Sequence, residues 1–495
     1  MKKLFITILL LIIALPARAY QPAVVSAHPE ASRVGMNILK KGGNSADAAI
    51  ATAFALGVVE PFNSGVGGGG FLLYYDAKSK KYSFVDYREV APGAASEEFY
   101  RKNPSRLHRG ILSVAVPGFV KGMETIHKKW GLRAWDELIY PAIDLARKGM
   151  PIRGKLKEKI SRSSSQLKED PAISAIYLEP FEKAKGEIVQ ADLADTLEAI
   201  RKDGAKGFYS GPLAKEISGF MKKNGGLISA ADLRNYQVFF RKPYQFEREP
   251  YEIISAPPPS AGGAAIALLF KKAIINNLSD ARPFSPAAFD LVMRGIKDYF
   301  YYREIALGDT SSNIATHTTH LSVIDKEGNI ASMTNTLNSP FGSGVVVPGT
   351  GIILNNEMAD FSLKPGSPNA IRPGRRPLSS MSPSIVLRKG KPYIVIGTPG
   401  GFNIPVNLFQ VFLFMWDWKA SLGGAIAKPK IYYSPTADKI LAEPEISKGI
   451  REALAAQGTI EEQPSTGNVQ ALIIQNEKRT LTISDPRGEG KGFAD

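Results

Sequence analysis

Apolar positions in the first two thirds of the chain recur mostly at the spacing of one helix face. This pattern predicts helices over 46–56, 191–202, 213–223, 262–272 and 287–304. We expect Ser45 to cap the first of them, because a hydroxyl can accept from the unpaired N–H groups of the first turn. The pair Gly225–Gly226 is a typical stop signal for the third.

Alternating apolar and polar residues predict strands in two regions. Residues 71–75 and 82–86 flank a turn at 76–81, and three further hairpins follow residue 318. Their strands are predicted at 319–325 and 330–336, 384–387 and 393–396, and 469–474 and 480–483. Hairpins with helices on either side favour stacked sheets covered by helices. The change near residue 318 is the main compositional boundary.

The start of the chain has the pattern of an export signal. Lys2 and Lys3 precede an apolar run over 4–15, and Ala17-Arg-Ala19 follows Pro16. Twelve apolar residues are too few to cross a bilayer, which needs about 20. The sequence therefore predicts a signal peptide over 1–19 and a mature chain that begins near Tyr20, without a transmembrane segment, in the periplasm or secreted.

Composition narrows the chemistry. Of the 495 residues 44% are hydrophobic and 22% charged, which is typical of a globular protein, and cysteine is absent. This excludes disulfides, thiolate metal sites and cysteine nucleophiles. With five histidines and no His-Glu-x-x-His run, we expect no metal and no cofactor. The net charge of +15 is scattered along the chain, which favours a solvated basic surface over nucleic-acid binding.

Two motif matches do not fit their context. The glycines of 65–70 match a dinucleotide fingerprint, but a helix precedes them and a strand follows, the reverse of the required order. We expect these glycines to allow positive φ angles or close approach to a ligand. Ser165-Gln-Leu-Lys168 matches the serine-x-x-lysine of penicillin-binding proteins, but no Lys-Thr-Gly strand follows it.

The stretch His317-Thr-Thr-His320 opens a predicted strand in mid-chain. Thr318 is open to two interpretations. Threonine is common in strands, so it can be an ordinary buried residue. Alternatively, self-cleavage after His317 makes Thr318 a new N-terminus whose hydroxyl is the nucleophile. Its α-amine, with a pKa near 8, would then be the base.

Several segments in order support the second interpretation. They are 42–47 (GGNSAD), 66–71 (VGGGGF), 86–89 (DYRE), 257–260 (PPPS), 318–323 (TTHLSV), 354–357 (LNNE), 376–383 (RPLSSMSP) and 398–401 (TPGG). In these the sequence resembles the γ-glutamyltranspeptidases, or glutathione hydrolases, of the N-terminal-nucleophile hydrolase class. The resemblance implies an α+β fold, a four-layer αββα sandwich. It also implies a precursor cut into a large subunit, 20–317, and a small subunit, 318–495, intertwined in one catalytic domain.

The resemblance also assigns site residues. Thr318 is the implied nucleophile, cut free from His317, and Thr336 assists it. The implied ligands of the donor α-carboxylate are Arg88, Ser379 and Ser380, those of its ammonium are Asn338, Glu357 and Asp360, and the implied oxyanion hole is Gly400 and Gly401. Two acids and an amide suit a cation with three donors. His320 is expected to be structural.

The implied reaction cleaves the γ-glutamyl amide of glutathione and related donors through a threonyl ester, which then passes to water or to an amino-acid or peptide acceptor. Two departures from the family stand out. The stretch 307–317 before the cleavage point is short. The loop 362–376 is too short for a full lid, so we expect an open site with Arg372, Arg375 and Arg376 at its rim, able to attract anionic donors such as poly-γ-glutamate.

Two alternatives stay open at this stage. A glutaryl or cephalosporin-type acylase has the same fold, but a glutaryl group lacks the ammonium that Glu357 and Asp360 are expected to bind. The other alternative is an unprocessed, non-enzymatic protein that binds the cell envelope through its basic surface.

Overall fold

The computed structural model describes residues 19–308, 317–464, 467–475 and 478–495. The predicted leader up to residue 18 and the segment 309–316 before the proposed cleavage point lie outside these ranges. Within the described ranges, no helix is both long enough and apolar enough to cross a membrane.

Two antiparallel sheets form the centre of the molecule. Sheet A has seven strands in the spatial order Lys491–Ala494, Ala23–Ser26, His317–Ile324, Ile330–Asn338, Gly69–Asp76, Lys81–Tyr87 and Phe239–Arg241. Sheet B has six, in the order Thr480–Ser484, Gln470–Ile474, Lys391–Gly397, Ser384–Arg388, Tyr251–Ser255 and Tyr244–Arg248. The three hairpins predicted after residue 318 and the hairpin around 76–81 are all present.

The sheets are stacked between two layers of helices. Strand Gly69–Asp76 shows why, because its side chains alternate between two apolar cores. Leu72 and Tyr74 join the core under the first helices, whereas Phe71 and Leu73 join the core shared with sheet B. A strand that is apolar on both faces must be covered on both, which gives the predicted αββα order of layers.

The helices fall into two groups by the core they bury. The first group includes Pro29–Lys40, Ser45–Val59, Phe119–Trp130, Trp135–Lys148, Gly154–Arg162, Ala191–Tyr209 and Pro212–Lys223. The second includes Gly262–Ile275, Pro286–Leu307, Ile404–Trp416, Leu422–Ala427 and Lys448–Ala455. Shorter helices are Glu97–Lys102, Ser164–Leu167, Pro171–Ile173, Ser174–Leu178, Glu179–Glu182 and Ala230–Arg234. Two-stranded ladders join Met150–Pro151 to Glu187–Ile188 and Val346–Val347 to Ile352–Ile353, and a three-stranded sheet contains Ile431–Ser434, Lys439–Ala442 and Thr459–Glu462.

Residue 318 does not separate two folding units. Strand His317–Ile324 pairs on one edge with Ala23–Ser26 and on the other with Ile330–Asn338. Both sheets contain strands from before and after residue 318. The compositional shift is therefore a change of secondary structure inside one unit.

Two local expectations were wrong. The helix Ser45–Val59 is capped by Asn44 rather than Ser45. The Asn44 Oδ1 accepts from the N–H groups of Ala46 and Asp47, both at 3.0 Å. The carboxylate of Asp47 accepts in return from the Asn44 N–H at 3.0 Å. This reciprocal capping box satisfies two donors at once and decides the boundary.

The glycine run was also misinterpreted. None of the glycines at 65–70 has a positive φ angle. A Cβ on Gly67 would lie 2.0 Å from the carbonyl oxygen of Ile353, and one on Gly68 would lie 2.1 Å from that of Thr336. The glycines thus allow the backbone at 67–68 to lie directly against the backbone of Ile353 and of Thr336.

Gly68→Ala should lower the stability of the protein by about 3 kcal/mol, because the added methyl group meets a backbone carbonyl that cannot rotate away. Gly219→Ala is the matched control. It lies inside helix Pro212–Lys223, where an added Cβ meets nothing within 4 Å, and should stabilise by about 0.5 kcal/mol. Chemical denaturation of both variants measures the difference. Equal stability of the two would show that the close approach at Gly68 is unimportant.

Candidate active site

A pocket opens at the end of the two sheets where strand His317–Ile324 begins. It is lined by Arg88, Arg303, Thr318, Thr336, Asn338, Glu357, Asp360, Leu378, Ser379, Ser380, Met381, Gly401, Phe402 and Ile404. Nine of the predicted catalytic and substrate-binding residues are among them. The tenth, Gly400, directly precedes Gly401 in the chain but does not line the pocket.

Thr318 and Thr336 face each other across neighbouring strands. They are register partners, and their hydroxyl oxygens are 3.3 Å apart. The Thr336 hydroxyl donates to the carbonyl oxygen of His317 at 3.0 Å and accepts from the N–H of Asn338 at 2.8 Å. One hydroxyl therefore contacts both the predicted nucleophile and the carbonyl of the bond predicted to be cut.

A bulge gives Asn338 its position. The pairing of the two strands shifts between Thr336 and Asn338, and Asn338 has a φ of 75°. Asparagine tolerates this left-handed conformation better than most residues. The bulge turns the side chain so that its amide donates to Asp360 Oδ1 at 2.9 Å. No pattern in the sequence predicts this irregularity.

Arg88 is the central cation of the pocket and is 1% exposed. Its guanidinium contacts the carboxylate of Glu357 and donates to Asp360 Oδ2 at 2.5 Å. It also donates to the carbonyl oxygen of Leu378 at 2.9 Å, and Glu89 lies 3.7 Å away. Arg88, the predicted carboxylate-binding group, is thus paired with Glu357 and Asp360, two of the predicted ammonium-binding groups.

This group of charges is buried and unbalanced, with three carboxyl groups around one guanidinium. Burial raises the pKa of Glu357 well above its usual range, and the attraction of Arg88 only partly opposes this. Burial likewise raises the pKa of Glu89. Burial by itself would lower the pKa of Arg88, but the carboxylates of Glu357 and Asp360 outweigh it and raise that pKa. Arg88 is therefore a permanent cation, and Glu357 and Glu89 are the neighbours whose pKa values burial raises.

Asp360 is the accessible member of this group, with 26% of its side chain exposed. A residue that the sequence analysis missed helps to hold it: the Asn369 amide donates to the Asp360 carbonyl oxygen at 2.7 Å, and its oxygen accepts from the Leu378 N–H at 2.9 Å. The short loop that carries Asn369 thus supports one wall of the pocket. As a lone polar residue in a loop, it has no recognisable signal in the sequence.

Arg303 is the second residue that the sequence analysis missed. It lies on helix Pro286–Leu307, where it donates to the Tyr299 hydroxyl at 2.8 Å, and it lines the pocket. A signal for it was present, because it is a charged residue on the buried face of an otherwise apolar helix stripe.

Ser379 and Ser380 are held at the pocket by a neighbouring loop. The Ser379 N–H donates to the carbonyl oxygen of Pro259, and the Ala261 N–H donates to that of Ser379, both at 2.9 Å. The segment 257–260, which is part of the family resemblance, therefore holds the two serines in place from outside the pocket.

The turn at Gly400 and Gly401 joins strand Lys391–Gly397 to helix Ile404–Trp416. Their φ angles are 145° and 55°, which favour glycine. Among the described residues, neither N–H is taken by a protein acceptor. Two amides before the N-terminus of a 13-residue helix form a suitable place for a developing negative charge.

Comparison with known proteins identifies the family of this chain. The family model described as gamma-glutamyltranspeptidase matches residues 31–316 and 272–494. The chain belongs to the gamma-glutamyltranspeptidase family. It is 36% identical to the glutathione hydrolase proenzyme of Pseudomonas aeruginosa over 95% of this chain and 94% of that protein. It is 34% identical to the glutathione hydrolase proenzyme of Bacillus subtilis (strain 168) over 92% and 88%.

A solved cephalosporin acylase from Bacillus halodurans superposes with a TM-score of 0.82 at 24% identity, covering 98% of this chain and 99% of that one. This likeness concerns the fold and confirms the predicted αββα class. Membership of the gamma-glutamyltranspeptidase family confirms the predicted enzyme class, a γ-glutamyl hydrolase and transferase. It also excludes the non-enzymatic alternative.

In this family member the predicted rim arginines do not act alike. The Arg376 guanidinium is buried, lies 3.1 Å from Asp86 and donates to the carbonyl oxygen of Gln237 at 2.6 Å. It fixes the base of the loop and is not at the rim, which corrects the expectation. Arg372 is exposed, and Arg375 is half-buried with its guanidinium on the carbonyl oxygen of Pro368.

Glu60 is a second buried titratable group, on the face of strand His317–Ile324 opposite to Thr318. The Thr319 hydroxyl donates to Glu60 at 2.8 Å, and Lys159 and Glu489 contribute charge nearby. Burial raises the pKa of Glu60 to about 7, and the Thr319 hydrogen bond only partly opposes this. His317 faces the same side, and its buried position depresses its pKa. His320 faces the other side, where its ring nitrogens contact Thr334 at 2.8 Å and Ser322 at 3.0 Å, as a structural residue would.

Glu60→Gln should change how stability depends on pH. The pKa of Glu60 is higher in the folded chain, about 7 against 4.5, so the folded state binds the extra proton in this window. Wild-type stability should fall as the pH rises from 4.5 to 7, by about 3 kcal/mol from this group. Glutamine does not titrate. The free energy of unfolding of the variant should therefore rise relative to that of wild type between pH 4.5 and about 7, and the difference between the two should stay constant at higher pH.

Denaturant unfolding at a series of pH values measures this difference. The exposed Glu216→Gln variant is the control and should follow wild type throughout. A Glu60→Gln difference that does not vary with pH would contradict the buried, protonatable state of Glu60.

Proposed function

We propose that the chain is a self-processing glutathione hydrolase and γ-glutamyltransferase whose nucleophile is Thr318. The observation that carries this proposal is the position of the Thr336 hydroxyl, in contact with both the Thr318 hydroxyl and the His317 carbonyl oxygen. An ordinary strand threonine does not require such a partner.

Cleavage begins with attack of Thr318 Oγ on the carbonyl carbon of His317. The Thr336 hydroxyl already donates to that carbonyl oxygen and would strengthen its bond as negative charge develops there. The C–N bond then breaks, the proton lost by the hydroxyl ends on the departing nitrogen, and an ester joins His317 to Thr318. Water hydrolyses this ester and leaves a free α-amine on Thr318.

Turnover of a donor repeats the same chemistry with the new amine as the base. Thr318 Oγ attacks the γ-amide carbonyl, the amine takes the hydroxyl proton and returns it to the leaving amine, and a γ-glutamyl ester forms. The N–H groups of Gly400 and Gly401 would receive the oxyanion. Water then releases glutamate, or an amino-acid or peptide amine takes the glutamyl group.

The charge arrangement favours a γ-glutamyl donor over a glutaryl one. Arg88 and Asp360 now neutralise each other, so a ligand that separates them must replace both partners. The α-carboxylate and α-ammonium of a γ-glutamyl group do so, with Ser379 and Ser380 adding donors to the carboxylate. A glutaryl group would pair Arg88 and leave Asp360 without a cation, which is costly in a buried site. The acylase alternative is supported by the shared fold and by 31% identity, over 94% of this chain, to the acylase ACY 1 proenzyme of Pseudomonas sp. (strain SE83), but this arrangement of charges does not favour it.

The location and further partners follow from the sequence and from the shape of the pocket. The leader pattern supports removal of residues 1–19 and action in the periplasm or outside the cell. Within the described part of the chain, no residue of the short loop 362–376 lines the pocket, which supports access for larger donors such as poly-γ-glutamate. The proposed products of processing, 20–317 and 318–495, would stay together because Leu321–Ile324 pairs with Ala23–Ser26 and Ile330–Thr336 pairs with Gly69–Tyr75.

Thr318→Ala should abolish processing and activity. Purified wild-type protein should give two bands on denaturing electrophoresis, the smaller starting Thr-Thr-His-Leu, because the hydroxyl of Thr318 is the attacking group. The variant should give one band and no release of anilide from a γ-glutamyl anilide. Wild-type protein that is active with an intact 317–318 bond would contradict the proposal.

Two variants of Thr336 test, in the same electrophoresis assay, whether its hydroxyl assists cleavage at His317. Thr336→Ser retains the hydroxyl and should be processed at close to the wild-type rate. Thr336→Val keeps the shape and removes the donor, so processing should slow by about a hundredfold, the usual effect of losing one oxyanion donor.

Asp360→Asn should distinguish the two donor classes. Removing the carboxylate leaves no anion for the ammonium, so kcat/KM for a γ-glutamyl anilide should fall by about a hundredfold or more. The much weaker activity on a glutaryl anilide should stay the same or rise. Steady-state kinetics with both substrates measures this. Equal losses on both would place Asp360 in a structural role.

A further inference from the structure

A basic groove lies at the end of the sheets opposite the pocket. The strand registers show the separation: Thr336 at the pocket pairs with Gly69, whereas Ile330 at the other end pairs with Tyr75. The seven residues from 330 to 336 span roughly 20 Å. The groove collects turns from both sheets, and its lining includes Lys80 from sheet A and Lys389 from sheet B.

The lining is strongly cationic. Among the described residues that line it, the charged side chains are six bases, Lys80, Arg388, Lys389, Lys391, Lys478 and Arg479, and two acids, Glu327 and Asp495. Asp495 is paired with Lys40 at 3.2 Å. Lys78, Lys81 and Lys326 are exposed on the turns beside the groove. The carboxylates of Glu249 and Glu252 lie on the neighbouring hairpin and do not line it.

The start of the described chain forms part of the same groove. The Tyr20 N–H donates to the Lys326 carbonyl oxygen at 2.9 Å, and the Gln21 N–H donates to that of Lys478 at 3.0 Å. The Lys478 ammonium lies 4.6 Å from the centre of the Tyr20 ring. Tyr75 and Tyr393 also line the groove. Tyrosines among lysines and arginines are typical of surfaces that meet the headgroup layer of a membrane.

We infer that the basic groove docks the mature protein on an anionic lipid bilayer with the pocket facing away from it. Several cations on turns from two sheets can contact separate headgroups at once, and their attractions to a negative surface add. The pocket, at the other end of the strands, would stay open to soluble donors. This inference does not depend on the chemistry proposed for Thr318.

The test is co-sedimentation of the mature protein with two kinds of vesicle: phosphatidylcholine alone, and phosphatidylcholine mixed with phosphatidylglycerol. Wild-type protein should bind only the anionic vesicles, and added salt should weaken the binding because it screens the charges. The triple variant Lys80→Glu, Lys389→Glu, Lys391→Glu should bind at least tenfold more weakly. It should keep wild-type turnover of a γ-glutamyl anilide, since the groove is remote from the pocket.

A matched control reverses three exposed lysines elsewhere, Lys206, Lys222 and Lys223, and makes the same change in net charge. This control should bind like wild type. Equal loss in both triple variants would show that net charge alone is responsible and would overturn the inference. So would wild-type binding to both vesicle types, to neither, or to a soluble polyanion such as heparin in preference to anionic vesicles.

Discussion

Strand His317–Ile324 lies inside sheet A, and its first residues are fixed by their pairing with strand Ile330–Asn338, while Leu321–Ile324 also pairs with Ala23–Ser26. Most N-terminal residues are free to move, because their backbone has few partners. A terminus created at Thr318 would be held by its pairing with the strand that carries Thr336. The conformational entropy of positioning the nucleophile is thus lost during folding, before any substrate binds. The hydroxyl, the new amine and the oxyanion donors can then keep one geometry for both reactions.

The buried charges around Arg88 impose a second constraint. Three carboxyl groups beside one guanidinium make a poor contribution to stability, because desolvation opposes the attraction. Their arrangement suits a zwitterionic ligand. The ligand carboxylate can replace Asp360 as the partner of Arg88, and the ligand ammonium can replace Arg88 as the partner of Asp360. Binding then exchanges one set of ion pairs for another without adding net charge to the pocket. Discrimination follows, since a ligand with only one of the two charges leaves the other partner unpaired.

Elements with strong periodic patterns could be predicted from the sequence, and positions fixed by long-range contacts could not. The hairpin around residues 325–330 was predictable because apolar alternation and turn residues agree there. The cap at Asn44 was misplaced by one residue, because Asn44 and Ser45 both offer an acceptor and the choice depends on Asp47. Arg376 has the composition of a surface residue, and only its partner Asp86, distant in sequence, places it inside. The resemblance to the family predicted which residues share the pocket, but only the structure showed that Arg88 pairs with Glu357.

The two ends of the stacked sheets differ in a way that follows from their turns. At the pocket end the connections are irregular: a bulge at Asn338 and the glycine turn at 400–401 direct side chains and amides inward. At the opposite end the strands join through tight turns in which Lys80, Lys389 and Lys478 adopt positive φ angles. Such turns present their side chains outward from a rigid frame, around the basic groove. Antiparallel pairing thus separates a charge-paired end suited to a small zwitterion from an open, cationic end suited to an extended anionic surface.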